Sequence, residues 1–128
     1  MEMNLFLKRV LLLDAASCLL MGAGLVLGAN PLAESFGLPA GLLSGAGLLL
    51  LPLGLFILWL GTRSIAPGAL VYVVILGNLG WTGESLLVAF GRPGISAPGT
   101  AFVAAQAAAV LGLALLEYAG LRRSRAAA

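Results

Sequence analysis

The sequence predicts an all-α fold: a single four-helix transmembrane domain over residues 1–128, an up-down-up-down bundle with N- and C-termini cytoplasmic. Three observations predict it. Four apolar segments, roughly Leu5–Gly28, Ala40–Gly61, Ala66–Phe90 and Ala97–Leu121, each reach the ~20 residues needed to cross a ~30 Å hydrocarbon core. Pro, Gly and polar residues gather between them, as they must where backbone groups in hydrocarbon bond within their own helix. Six of the seven Lys and Arg residues (Lys8, Arg9, Arg63, Arg122, Arg123, Arg125) flank one side, leaving Arg92 alone on the other, which orients the chain N-in and C-in as a multi-pass protein.

The first segment is too long for a signal-peptide core and lacks a cleavage pattern, so it is expected to persist as a helix. In the connection Ala29–Pro39, Asn30 and Pro31 read as an N-cap and first helical position and Gly37 as a stop. With Leu32, Phe36 and Leu38 beside Glu34, this predicts a short interfacial helix at the outer surface. Pro52 falls inside the second segment and should free the Leu48 carbonyl, bending the helix. The connections Thr62–Pro67 and Gly91–Pro98 are tight, making consecutive helices antiparallel neighbours. Gly24-x-x-x-Gly28, Gly41-x-x-x-Gly45 and the series Gly77, Gly80, Gly83 predict close helix packing. Ala101, Ala104, Ala105, Ala108 and Ala109 serve that role in the last segment.

With 61% hydrophobic and 9% charged residues, the chain has no room for a soluble domain beside its spans. The net charge of +2 belongs to the flanks and suits an anionic lipid surface; nucleic acid is not expected as a partner. A single cysteine, Cys18, and no histidine exclude an intramolecular disulfide, paired-thiol redox chemistry and the usual metal and haem ligand sets. No metal and no cofactor is expected.

Three acids lie within predicted spans, and each is a functional candidate because an intramembrane charge is costly. Asp14 and Glu117 sit near the cytoplasmic boundary, where Arg9 and Arg63 predict structural ion pairs that set helix register; Asp14 also heads a stripe of Ser17, Cys18, Met21 and Gly28. Glu84 lies deeper on the outer side. Asn78, Trp81, Thr82 and Ser85 share one face of that helix, and Gln106 falls at the depth of Asn78, predicting an Asn78–Gln106 hydrogen bond. The candidate ligand or proton site is therefore Glu84, Asn78, Trp81, Ser85, Gln106 and Asp14, with Glu84 facing the bundle interior. Trp59, Tyr72 and Tyr118 read as interface anchors. No residue is assigned as catalytic.

The Asp in the first helix, the Asn78-x-x-Trp81-x-x-x-Ser85 stretch and Gln106-Ala-Ala-Ala-Val with Glu117 resemble a group of small bacterial four-helix integral membrane proteins. That resemblance implies a bacterial inner-membrane bundle and brings no activity with it. Three functions remain open from the residues. The first is a non-enzymatic bundle binding a lipid-like ligand or a partner protein. The second is a proton-coupled transporter or channel subunit using Asp14 and Glu84, which implies a homo-oligomer or larger membrane complex. The third is an intramembrane enzyme with Glu84 as acid or base.

Overall fold

The computed structural model describes residues 1–127. It is all-helical, with α1 (Leu5–Leu27), α2 (Ala29–Phe36), α3 (Ala40–Gly61), α4 (Gly68–Gly91) and α5 (Ala97–Ala126). Four of these, α1, α3, α4 and α5, are long and apolar enough to cross a membrane. α4 is the least apolar, at mean hydropathy 1.5 against 1.9 to 2.2 for the others, because it carries Asn78, Thr82, Glu84 and Ser85.

Local chemistry sets the helix ends. Asn4 caps α1, its side chain accepting from the Leu7 N–H at 2.8 Å, and Ser96 caps α5, accepting from Gly99 at 3.1 Å. The short helix begins two residues earlier than its Asn-Pro pair predicts. Gly28 closes α1 and opens α2, so Asn30 is an exposed residue inside the first turn, not a cap. Gly37 ends α2 at φ +67°, the left-handed position that favours glycine. α5 continues five residues beyond the expected Leu121, carrying Arg122, Arg123 and Arg125 in its last turns.

Buried positions recur in alternating steps of four and three. They run Leu43, Gly47, Leu50, Gly54, Ile57 and Gly61 in α3, and Val71, Ile75, Asn78, Thr82, Ser85 and Ala89 in α4. This is the period of helices packed at a small left-handed angle. α1 packs most closely on α3 and α4 on α5, while α1 and α5 join the two pairs; α3 barely touches α4. The seam between α1 and α3 is made by glycines. A Cβ on Gly47 would lie 2.6 Å from the Gly22 carbonyl oxygen, one on Gly54 2.9 Å from Leu19 and one on Gly61 3.1 Å from Leu12.

These are not the glycines that small-x-x-x-small spacing singles out. Gly24, Gly41, Gly45, Gly77, Gly80 and Gly83 have nothing within 4 Å of where a Cβ would stand. They point off the heptad stripe, and spacing alone cannot tell which face of a helix is covered.

Both ends of the bundle are tied. At one, the Met3 N–H donates to Ser64 O and Ala66 N–H to Met1 O, each at 3.0 Å, and the Asn4 N–H donates to Ser124 Oγ at 3.0 Å. At the other, the Ser96 hydroxyl donates to Ser35 O at 2.7 Å and its N–H to Phe36 O at 2.9 Å. The first end also carries four cation–π contacts: Arg63 on Trp59, Arg122 on Tyr118, Arg123 on Phe6 and Arg125 on Tyr72, at 4.7 to 5.9 Å.

Candidate functional site

Asp14, Asn78 and Glu117, from three different helices, meet in the core. All follow from heptad phase: Asp14 is in register with Leu7 and Leu11 on α1, Asn78 with Val71 and Ile75 on α4, and Glu117 with Ala114 and Leu121 on α5. Gly120 allows α5 its approach to α1, where a Cβ would lie 3.0 Å from Leu7 Cβ and 3.1 Å from its Cα. One turn further in, Glu117 thus reaches the level of Asp14.

The Asn78 amide holds the cluster together. Its Nδ2 donates to Asp14 Oδ2 at 2.7 Å and to Glu117 Oε1 at 2.8 Å, so both N–H bonds of one amide are spent on two carboxylates. Asp14 is 2% exposed and Glu117 0%. The Cys18 thiol, one turn along α1, donates to Asp14 Oδ1 at 3.6 Å, and the Thr82 hydroxyl donates to Asn78 O at 2.8 Å. Glu117 Oε2 is buried with no hydrogen-bond partner among the described residues. A buried carboxylate oxygen without a donor is expensive, so it marks a place where a proton or a ligand belongs.

The expected ion pairs with Arg9 and Arg63 do not form. Arg9 and Arg63 are exposed, and Arg63 lies over Trp59 and donates to the Thr62 hydroxyl at 3.3 Å. The acids lie too far from the helix ends, and on the wrong face, for these arginines. α1 starts at Leu5, which puts Asp14 about 14 Å along it at 1.5 Å per residue, beyond snorkelling arginines. Among the described residues no cation pairs with either acid.

Glu84 does not face the bundle interior. It is exposed on α4 beside Leu87, Val88 and Arg92 at the opposite end of the bundle, remote from Asp14. The α4 core positions belong to Asn78, Thr82 and Ser85; the residue before Ser85 is rotated about 100° away from them. Nor do Asn78 and Gln106 bond each other. Gln106 Oε1 accepts from Trp81 Nε1 at 2.9 Å, and its amide donates to Val103 O at 2.9 Å. Trp81 is thus tied through its indole N–H. The described residues contain no group of three or more His, Cys, Asp or Glu placed to hold a metal ion.

A cleft of about 70 Å³ opens between α3 and α4, with Leu53, Phe56 and Val73 among its walls and Cys18 and Asn78 within it. Both of these polar residues bond Asp14 directly.

In comparison with known proteins, the chain matches no family model, no curated protein and no solved structure.

Proposed function

We propose that this is a multi-pass, up-down-up-down membrane protein, N-in and C-in, that binds a cation or cationic head group at Asp14 and Glu117 in exchange for a proton. The observation that carries the reading is the pairing of two buried carboxylates on one neutral amide, with Glu117 Oε2 left without a donor. Desolvation and mutual repulsion both oppose a doubly charged pair in low dielectric, and either a proton or a cation relieves them. The orientation rests on the Lys and Arg asymmetry, supported by the belt of arginines over aromatic rings at the end where the chain starts.

Glu84 has no part in this site, so exchange is assigned to Asp14 and Glu117 alone. The test is infrared spectroscopy of the purified protein in lipid nanodiscs. A carboxylic acid C=O band should be present at neutral pH, absent in Asp14→Asn/Glu117→Gln and unchanged in Glu84→Gln. Titration with sodium, potassium or methylammonium should lower that band and release protons into weakly buffered medium. A band that survives the double substitution, or that no cation alters, would refute the exchange.

A further inference from the structure

Among the described residues α3 and α4 are scarcely packed on each other, and exposed apolar side chains form the rim of their seam. Its rim is apolar and lipid-facing, with Leu53 43% and Val73 57% exposed, whereas Asn78 within it is 8% exposed. Asn78 stands between the cleft and both acids, because it lines the first and donates to the second. The amide nitrogen there presents two N–H bonds to two carboxylates at 2.7 and 2.8 Å. An ammonium group at that point would make the same two bonds and supply the positive charge the pair lacks. Asn78 is in this sense a neutral stand-in for a cationic ligand, held on its own helix.

We infer that the α3–α4 cleft admits from the bilayer a single-chain amphiphile bearing an ammonium group, whose head takes the place of the Asn78 amide at Asp14 and Glu117 and whose alkyl chain lies against Phe56 and Trp81. The class follows from the surroundings. Two acids select a cation over a carboxylate or phosphate head, and the apolar rim selects an alkyl chain over a hydrated metal ion. The resting volume of about 70 Å³ holds roughly two waters at ~30 Å³ each, so the helices must part to seat a chain. α3 and α4 share few contacts to break, whereas α1–α3 and α4–α5 are closely packed.

This inference rests on the acid pair being the ligand site, and the two can fail separately. Trp81 lines the cleft and Trp59 is the only other tryptophan, so Trp59→Phe leaves a single reporter beside the proposed chain. In phosphatidylcholine nanodiscs, an ω-bromoundecylamine should quench Trp81 saturably and undecylamine should reverse the effect, whereas the matching bromo-alcohol and bromo-carboxylate should quench only weakly and without saturation. Asp14→Asn/Glu117→Gln should weaken amine quenching about ten-fold or more, as loss of a charge-assisted contact implies. Val73→Phe narrows the mouth at an exposed position and should abolish saturable quenching while leaving the infrared acid band intact. Equal quenching by amine and alcohol, or saturable amine quenching that survives both variants, would overturn the inference. An acid band insensitive to simple cations would instead count against the exchange proposed above.

Discussion

α3 and α4 are both rich in glycine and use it in opposite ways. On α3, Gly47, Gly54 and Gly61 are seven residues apart, fall on the buried stripe and bring the backbone against α1; on α4, Gly77, Gly80 and Gly83 lie off the stripe and touch nothing. The core positions of α4 hold Asn78, Thr82 and Ser85 instead. One half of the bundle is therefore joined by backbone proximity and the other by polar side chains around a pair of acids. Small residues close a helix interface only in phase with it, and a polar residue in phase can organise a core that the bilayer gives no hydrophobic force to assemble.

The largest effect should come from breaking the glycine seam. A Cβ at Gly47 meets the Gly22 carbonyl oxygen at 2.6 Å and Val26 Cγ2 at 2.8 Å, and the backbone oxygen cannot rotate away. Gly47→Ala should destabilise the protein by about 2–3 kcal/mol, the upper range for overpacking, in a mixed-micelle denaturation followed by tryptophan fluorescence. Gly80→Ala, which meets nothing, should change the same midpoint by less than about 0.5 kcal/mol. Equal effects at the two positions would erase the distinction between seam and bare face.

Next comes the polar half. Asn78→Leu leaves two buried carboxyl groups without their shared donor and should cost about 2 kcal/mol, within the range for leaving buried hydrogen-bonding groups unsatisfied. Replacing all three of Asp14, Asn78 and Glu117 by leucine removes the stranded partners along with the donor, so stability should return to within about 1 kcal/mol of the parent or exceed it. That triple variant should release no protons when methylammonium is added. Wild-type proton release in it would place the exchange elsewhere in the molecule.

A smaller loss is expected at the upper contact of α4 with α5. Trp81→Phe removes the pyrrole part of the indole together with the N–H that Gln106 accepts at 2.9 Å, which should cost about 1 kcal/mol, of which about 0.6 kcal/mol is the average for interhelical hydrogen bonds in membranes. The same denaturation assay, run with Trp59 as the remaining reporter, measures it.

The four long helices were legible because each is one unbroken apolar run of the length that crossing a bilayer requires, and α3 matches its predicted bounds, Ala40–Gly61. The candidate site was legible only in pieces. Asn78, Thr82 and Ser85 share the buried face that their spacing indicates, yet Asn78 bonds Asp14 and Glu117, not Gln106. That meeting requires α5 to close on α1 across most of the chain, and local periodicity carries no information about such a contact. Proximity in sequence also misled: it set Asp14 and Glu117 within reach of arginines, while Asp14 lies nine residues into α1 and α5 carries its arginines on past Leu121. The signal that would have separated the acids was heptad phase. Tracing steps of four and three from Leu7, Val71 and Ala114 puts Asp14, Asn78 and Glu117 inside and leaves Glu84 outside.

Glu84 offers the smallest expected effect and the sharpest contrast with Glu117. Both are single glutamates on apolar helices, and a rule based on the penalty of burying charge in hydrocarbon treats them alike, at about 2.5–3.5 kcal/mol each if left in lipid. The fold treats them differently. Glu117 is sealed in the core on the Asn78 amide, whereas Glu84 is exposed seven residues before the end of α4, about 10 Å from it, with Arg92 lining the same surface hollow. An exposed side chain near a helix end can extend toward the head groups and water. Glu84→Gln should therefore shift the denaturation midpoint by less than about 0.5 kcal/mol and leave amine quenching of Trp81 unchanged, while Glu117→Gln alters both. Loss of stability or of quenching in Glu84→Gln equal to that in Glu117→Gln would return the outer acid to the site.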